Sequence, residues 1–170
     1  KALVVYEDGS SAVKRVPVPR IGPYDALVKI QASAICGTDI KILHNDLKGF
    51  SNYPTILGHE GVGKIVETGA KVRKFKVGNS VVLPSIPGRC GEYYSTWGAI
   101  SEYALVSDAE AMAADGLAFD EGAVAQCVIP ESINPVAATM IVTFREILST
   151  MLRLGFHKGQ NIVIYGVGAV

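Results

Sequence analysis

The sequence predicts a mainly β protein, in which a partly open β-barrel with short helices precedes a long helix and one further strand. Over roughly the first 106 residues, short runs of Val, Ile, Ala and Tyr recur between turn residues. Breaks at Gly22–Pro23 and Pro87–Gly88 separate such runs, and strands this short fit a partly closed barrel better than a flat open sheet. From about residue 133 the apolar residues recur with the period of an α-helix instead.

Six segments are candidate strands, because each is short, apolar and bounded by turn residues. They are Ala2–Tyr6, Val13–Val18, Ala26–Ala34, Gly63–Glu67, Val77–Leu83 and Ala99–Val106. Between the third and the fourth of them, Ile40, Leu43 and His44 follow one another at helical spacing. This spacing predicts a short helix over residues 37–45, which would place Cys36 at the corner between a strand and a helix.

A long helix and a buried strand are predicted next. Asn134 provides an N-cap and Pro135 suits the first helical position. The apolar face that follows predicts a helix of about five turns, which ends near Gly155. The apolar run Asn161–Tyr165 has the composition of a strand in a parallel sheet. Gly166-Val-Gly168 follows this run, as in turns that bind dinucleotide phosphates.

These last residues predict the start of a second domain. A complete dinucleotide site needs a third glycine, a helix, further parallel strands and an acidic residue for the ribose. A strand without neighbours would leave its backbone donors and acceptors unpaired. We therefore expect residues 1–132 to form one domain, residues 133–170 to begin an incomplete second one, and the chain to be about the first half of a larger enzyme.

Composition and charge argue against several functions. The 16 basic and 16 acidic residues give a net charge of zero, and 8% of the residues are aromatic, so neither a basic surface nor stacking side chains favour nucleic-acid binding. The longest apolar stretches fall short of the roughly 20 residues of a membrane span, and no secretory signal is evident. We expect a cytoplasmic location. The three cysteines are few and widely spaced, which argues against a disulfide framework.

Two separated segments carry side chains that bind metal ions. Cys36 offers a thiolate, with Thr38 and Asp39 close behind it, and His59 and Glu60 follow Gly58 further along the chain. One Cys, one His and a carboxylate from distant segments are typical of a catalytic zinc site, whereas structural zinc is bound by closely spaced cysteines. The sequence therefore predicts one catalytic zinc ion.

The motifs Cys36–Asp39, Gly58–Val72 and Gly166–Gly168 together resemble those of the medium-chain dehydrogenase/reductase superfamily, specifically its zinc-containing alcohol and polyol dehydrogenases. The resemblance implies a GroES-like barrel joined to a Rossmann domain. It implies Cys36 and His59 as zinc ligands and Glu60 as a carboxylate that binds the metal directly or through water. The implied reaction transfers a hydride between an alcohol, polyol or sugar and NAD or NADP, in a homo-oligomer.

The resemblance also implies roles for neighbouring residues. Thr38 lies where the family's hydroxyl relay for protons begins, and Asp39 would orient His59 and fix its tautomer. Lys41 stands where many relatives have a histidine, and His44 is a weak substitute for it. Gly166 and Gly168 are the implied cofactor-binding residues.

Two departures from the family pattern concern the metal ions. The lobe that binds structural zinc in many relatives has the single cysteine Cys90 here, so we expect no structural zinc. The family's last ligand to the catalytic zinc falls at residues 141–143, where no strong ligand stands. Gln126 and Cys127 are alternatives for it. If neither reaches the metal, either Glu60 completes the ligand set or the site binds no metal.

Two other functions stay open. Thr96–Trp97 and Ala137–Thr139 are similar to zinc-free reductases of the same superfamily, which act on quinones or enoyl thioesters. The other alternative is that the chain is a non-catalytic barrel scaffold, because by itself it offers no complete nicotinamide site. Under each of these hypotheses, including the zinc-dependent dehydrogenase, we expect the chain alone to show no turnover.

Overall fold

The computed structural model describes residues 1–163 and 165–166. In this part of the chain, strands and short helices alternate up to residue 129, and two helices follow. In chain order the elements are β1 (Ala2–Val5), β2 (Ser11–Lys14), β3 (Asp25–Ala34), α1 (Gly37–Leu43), β4 (Thr55–Ile56), β5 (Glu60–Thr68), β6 (Ser80–Val82), β7 (Arg89–Cys90), β8 (Tyr93–Ser95), β9 (Tyr103–Ser107), α2 (Ala109–Ala114), α3 (Glu121–Ala125), β10 (Cys127–Ile129), α4 (Pro135–Ala138) and α5 (Ile141–Arg153).

Two five-stranded sheets form the body of the fold. Their strand orders are β2-β1-β4-β8-β7 and β10-β6-β5-β3-β9. The β4 and β8 strands run parallel, and the other described pairs are antiparallel. The sheets do not merge into one closed ring of strands. The predicted mainly β, partly open barrel is therefore confirmed.

The core lies between the two sheets and on both faces of the second sheet. Val4 and Ile56 from the first sheet pack in one cluster with Ala104 from β9. Val81 and Val82 are neighbours on β6 but lie in different clusters, because successive side chains of a strand point to opposite faces. Complete burial of such aliphatic side chains contributes about 1.5–3 kcal/mol each, so this double-sided core fixes the strands that present the site.

Five of the six predicted strands correspond to strands in the structure, with β3 matching to within one residue. The prediction Val13–Val18 is wrong over most of its length, because β2 spans Ser11–Lys14 and ends before Pro17. Proline has no N–H group to donate to a strand ladder, so Pro17 and Pro19 cannot extend the pairing. The short strands β4, β7, β8 and β10 were not predicted.

The predicted long helix is two helices. The Asn134 side chain accepts a hydrogen bond from Val136 N–H at 2.9 Å, which confirms the N-cap. However, α4 ends at Ala138 and α5 begins only at Ile141. Between them, the Thr139 hydroxyl donates to the Val136 carbonyl at 2.8 Å, and such back-bonding competes with the helical hydrogen bonds and bends the chain.

The predicted strand Asn161–Tyr165 is not formed in the residues that the structure describes there, 161–163 and 165. No strand within residues 1–163 pairs with this segment, so it has no ladder to join. Gly166 has a φ of +108°, in the region that favours glycine. Gly168 lies outside the described residues.

One stretch of the structure meets the length and hydropathy criterion for a membrane span, namely the 19 residues Pro135–Arg153, with a mean hydropathy of 1.3. The criterion uses length and composition only, and a helix that packs in a protein core meets it as well. The break between α4 and α5 falls inside this stretch.

Candidate metal centre

Cys36 lies between β3 and α1, at the N-cap position of the helix. Its backbone N–H donates to the Asp39 carboxylate oxygen Oδ2 at 2.8 Å. This bond satisfies an N–H group at the start of the helix, as in a capping box. The same bond therefore fixes Asp39 directly behind Cys36. Thr38 occupies the first turn of α1 and is half-buried.

His59 and Glu60 are presented by the sharp entry into β5. Gly58 has a φ of +107°, and a Cβ at this position would lie 2.6 Å from the backbone nitrogen of Ile100. Only glycine allows the chain to turn here so close to its neighbour. His59 follows immediately, and Glu60 begins the strand with 8% of its surface exposed.

The structure brings Cys36, His59 and Glu60 together. One potential ligand atom from each side chain lies within 4.8 Å of the other two. Atoms bound to a single tetrahedral zinc ion at about 2.0–2.3 Å lie about 3.3–3.8 Å apart. Small side-chain adjustments would close this difference, and the donor set of sulfur, nitrogen and carboxylate oxygen is one that zinc accepts. The residues therefore fit a zinc ion.

A second observation supports the fit. His59 Nδ1 and Asp39 Oδ1 are both buried, and within the described residues neither has a hydrogen-bond partner. They face each other at 3.9 Å, which is too long for a hydrogen bond. Buried polar atoms without partners are costly. In metal sites a histidine donates its second ring N–H to such a carboxylate. His59 and Asp39 are placed like such a histidine and its carboxylate partner, at a longer separation.

An aromatic ring covers one side of His59. The centroid of the Trp97 ring lies 4.6 Å from that of His59, with an angle of 56° between the planes. Trp97 has a φ of +66°, which is unfavourable for a residue with a side chain. Its carbonyl accepts a hydrogen bond from Ile86 N–H at 2.7 Å, which helps to hold this backbone. Trp97 is 45% exposed, so this ring lies at the surface next to His59.

One contact was missed by the sequence reasoning. Thr143 Oγ1 donates to the Glu60 oxygen Oε1 at 2.8 Å, so the first turn of α5 contacts the centre. Spacing did point to residues 141–143, but as the place for a metal ligand. A search for hydroxyl partners of Glu60 would have been needed to find Thr143.

The alternatives for the last ligand are engaged elsewhere. Gln126 Oε1 accepts from Ser107 N–H at 2.7 Å, and Gln126 Nε2 donates to the Leu83 carbonyl at 3.0 Å. Both ends of this buried amide are therefore used in tying strands together. Cys127 pairs with Val82 on the neighbouring strand and packs against an apolar cluster.

The remaining residues considered from the sequence are Lys41, His44 and Cys90, and they lie outside the cluster of Cys36, His59 and Glu60. Lys41 and His44 are exposed on α1 and at its C-terminal end. Cys90 is buried, and burial raises the pKa of its thiol. Its Sγ donates to the Pro17 carbonyl at 3.2 Å, so Cys90 is tied to the core as an uncharged thiol.

Comparison with known proteins identifies the family. The model of the alcohol dehydrogenase GroES-like domain matches residues 22–116. This chain belongs to that family. The membership predicted from the motifs, in the medium-chain dehydrogenase/reductase superfamily and its zinc-containing alcohol and polyol branch, is thereby confirmed.

Individual members of the family resemble the chain along its whole length. An alcohol dehydrogenase of Geobacillus stearothermophilus is 31% identical over 183 residues, covering 100% of this chain and 52% of the relative. The sorbitol dehydrogenase of Bacillus subtilis strain 168 is 31% identical over 185 residues, covering 100% of this chain and 50% of the relative. The chain spans about half the length of the curated relatives it matches.

A solved structure from Sinorhizobium meliloti 1021, described as a zinc-binding dehydrogenase bound to NADP, is also similar. It has a TM-score of 0.58 and 28% identity, covering 82% of this chain and 41% of that one. This structural similarity agrees with the GroES-like fold of the family.

Proposed function

We propose that this chain is the metal-binding part of a zinc-dependent oxidoreductase that transfers a hydride between an alcohol, polyol or sugar and NAD or NADP. The observation that carries the proposal is the convergence of Cys36, His59 and Glu60. Relatives named as alcohol and sorbitol dehydrogenases support this class of substrate. The similar zinc-binding dehydrogenase with bound NADP supports zinc and a nicotinamide cofactor.

Three side chains would hold the zinc ion. Cys36 as a thiolate and Glu60 as a carboxylate supply two negative charges, which balance the charge of the ion, and His59 binds as a neutral imidazole. When bound, zinc supplies a Lewis acid that lowers the pKa of an alcohol hydroxyl. Three protein ligands would leave a fourth position for the substrate.

Asp39 and Thr38 act next to the ligands. If the 3.9 Å separation shortens, Asp39 Oδ1 would accept a hydrogen bond from the Nδ1–H group of His59, which would leave Nε2 free to bind the ion. Asp39 is therefore a positioning residue. The Thr38 hydroxyl both accepts and donates a proton, so from the first turn of α1 it can begin the path by which the proton of the alcohol leaves the site.

The nicotinamide cofactor requires residues beyond the barrel. Gly166, with its positive φ, and Gly168 would form the turn that approaches the cofactor phosphates. Glycine at these positions lets the backbone come close to a pyrophosphate. The substrate and the choice between NAD and NADP are set in part by the cofactor domain.

The test is the zinc content of the purified chain. We expect about one equivalent of zinc, and Cys36→Ser should lower the zinc affinity more than about 100-fold, because even an outer partner contributes 10–100-fold. Cys127→Ser is the matched control, since it removes a cysteine outside the ligand set and should keep the metal. Chelator competition measures the affinities, with the fluorescence of Trp97, the chain's single tryptophan, as a second signal.

Two results would contradict the proposal. A wild-type chain that binds no zinc would favour the zinc-free reductase of quinones or enoyl thioesters. Equal loss of zinc in Cys36→Ser and in Cys127→Ser would show that the metal is not held at this centre.

A further inference from the structure

The contact between Glu60 and Thr143 joins the barrel to the helix that follows it. The Thr143 hydroxyl donates to Glu60 Oε1 at 2.8 Å, across 83 residues of sequence. Glu60 is 8% exposed and Thr143 is half-buried. A hydrogen bond from a hydroxyl to a carboxylate is stronger than one between two neutral groups, so this bond restricts the rotation of the Glu60 side chain.

The first turn of α5 packs against the barrel, so Thr143 is held in place and can restrict the rotation of Glu60. Ile141 packs against the cluster of Val62, Val82 and Ile129, and Val142 is 7% exposed. Arg145 donates to the Ala125 carbonyl just beyond them. Further along, the apolar side chains of α5 are exposed, with Leu148 at 56% and Leu152 at 68%. Thr143 therefore lies in the one part of α5 that the barrel holds in place.

The chemistry of threonine decides what Thr143 contributes. A neutral hydroxyl is a weak zinc ligand compared with thiolate, imidazole or carboxylate. A hydroxyl that donates to a ligating carboxylate, by contrast, fixes its orientation, and loss of such a partner lowers metal affinity about 10–100-fold. An ionised carboxylate has two oxygens with room for several partners, so Glu60 can accept from Thr143 and still bind the ion.

We propose that Thr143 is a positioning residue that holds Glu60 as the third zinc ligand. The start of α5 thus contributes to the metal centre through a hydrogen bond, where the residue pattern offered no ligand of its own. This inference rests on the proposed function, because it requires that Cys36, His59 and Glu60 bind zinc.

The experiment compares zinc affinities of variants of the purified chain by chelator competition. Thr143→Val removes the hydroxyl at nearly constant volume, and we expect the affinity to fall about 10–100-fold. Thr143→Ser keeps the hydroxyl and should stay within about threefold of the wild type. The spectrum of the Co²⁺-substituted chain gives a second readout, because its ligand-field bands should shift in Thr143→Val and not in Thr143→Ser.

A second pair of variants separates an effect through Glu60 from a general structural effect. Glu60→Gln replaces the charged ligand by a weakly binding amide, so that Thr143 has no ligating carboxylate left to orient. If Thr143 acts through Glu60, adding Thr143→Val to Glu60→Gln should change the zinc affinity less than about twofold, since residues in one network are not additive. Circular dichroism checks that each variant folds, and Thr143→Ala replaces Thr143→Val if the valine does not.

The outcomes distinguish this inference from the proposed function. If the wild type binds zinc and Thr143→Val binds it equally well, the inference is wrong and the proposed function stands. If Thr143→Val loses the same factor in the wild type and in Glu60→Gln, Thr143 does not act through Glu60 and the inference is again wrong. If the wild type binds no zinc, both fall.

Discussion

Two buried carboxylates in this chain, Asp39 beside the candidate metal centre and Asp108 at the start of α2, are matched in burial and opposite in surroundings. Asp39 is 2% exposed and Asp108 is fully buried. Asp39 accepts one hydrogen bond, from Cys36 N–H, and its other oxygen has no partner in the described residues. That oxygen faces His59 Nδ1, which also lacks a partner.

Asp108, by contrast, is completely satisfied by backbone groups. Its Oδ2 accepts from the N–H groups of Arg73 and Lys74, each at 2.7 Å. Its Oδ1 accepts from Ala111 N–H at 2.9 Å and so caps α2. Asp108 therefore links the turn before β6 to the helix after β9, and both of its oxygens have partners within the fold.

The comparison shows that burial of a charged group does not by itself indicate function. A buried carboxylate whose partners all belong to the backbone stabilises the fold. A buried carboxylate that faces an unpartnered imidazole has bonding capacity left for something that the fold does not supply. We therefore expect substitutions of Asp108 to change stability and substitutions of Asp39 to change metal binding.

The largest expected effect is the loss of stability in Asp108→Ala. The substitution leaves three N–H groups without this acceptor, that of Ala111 buried and those of Arg73 and Lys74 partly buried, and removes the N-cap of α2. Each buried unsatisfied donor costs about 1–3 kcal/mol, and a lost cap costs about 0.5–2 kcal/mol. Water reaching the turn offsets part of this, so we expect the free energy of unfolding to fall by about 3 kcal/mol, measured by urea denaturation with a chelator present.

Asp108→Ala should leave the metal centre unchanged. Under conditions where the variant is folded, its zinc affinity should agree with that of the wild type within about twofold. A variant that keeps its stability but loses zinc would reverse the assignment of structural and functional carboxylates.

The next effect is expected in Asp39→Asn, which keeps the shape of the side chain. The amide oxygen can still accept from Cys36 N–H, but the NH₂ group then faces His59 Nδ1. Nδ1 must become the acceptor, which puts the proton on Nε2 and blocks that nitrogen as a ligand. We expect a loss of zinc affinity of about 10–100-fold, with the chelator-treated chain at least as stable as the wild type.

Chelator competition and urea denaturation on the same preparations check this prediction. Asn45→Asp, an exposed change just after α1, serves as a control for the charge near this helix. Unchanged zinc affinity together with a loss of stability would make Asp39 a structural residue like Asp108.

The sequence predicts those parts of the fold and the site that depend on local patterns. The helical spacing after Cys36 correctly indicated a strand-to-helix corner, because both elements form from neighbouring residues. The glycine before His59 has a φ of +107°, a conformation that glycine adopts without strain. These two local features are enough to present Cys36 and His59, and the family motifs link them.

The contacts that were not predicted are made between residues distant in sequence. The two-residue strand Thr55–Ile56 exists because it pairs with both β1 and β8, and two residues carry no periodicity to detect. The bond between Thr143 and Glu60 spans 83 residues. Gln126 was an alternative ligand in the sequence, and only its bonds to Ser107 and Leu83 show its structural role.

The smallest expected effect is the pH dependence that Asp108 gives to stability. Burial raises the pKa of Asp108, but the hydrogen bonds from the N–H groups of Lys74, Ala111 and Arg73 outweigh it, so the pKa is lowered overall from 3.8. The folded state therefore binds the proton less readily than the unfolded state. It follows that the stabilisation is fully present above about pH 4 and is lost as the pH falls through the lower, folded pKa.

Asp108→Asn isolates this contribution, because the amide keeps one acceptor and does not titrate. We expect the wild type to be more stable than Asp108→Asn at neutral pH, and the difference to shrink as the pH is lowered from about 5 to 2. Glu121→Gln, which removes an exposed carboxylate from α3, should show no comparable change. Urea denaturation of the three chains at several pH values measures this. A difference that stays constant down to the lowest pH would mean that the pKa of Asp108 is the same in the folded and unfolded states, and its contrast with Asp39 would then rest on hydrogen bonds alone.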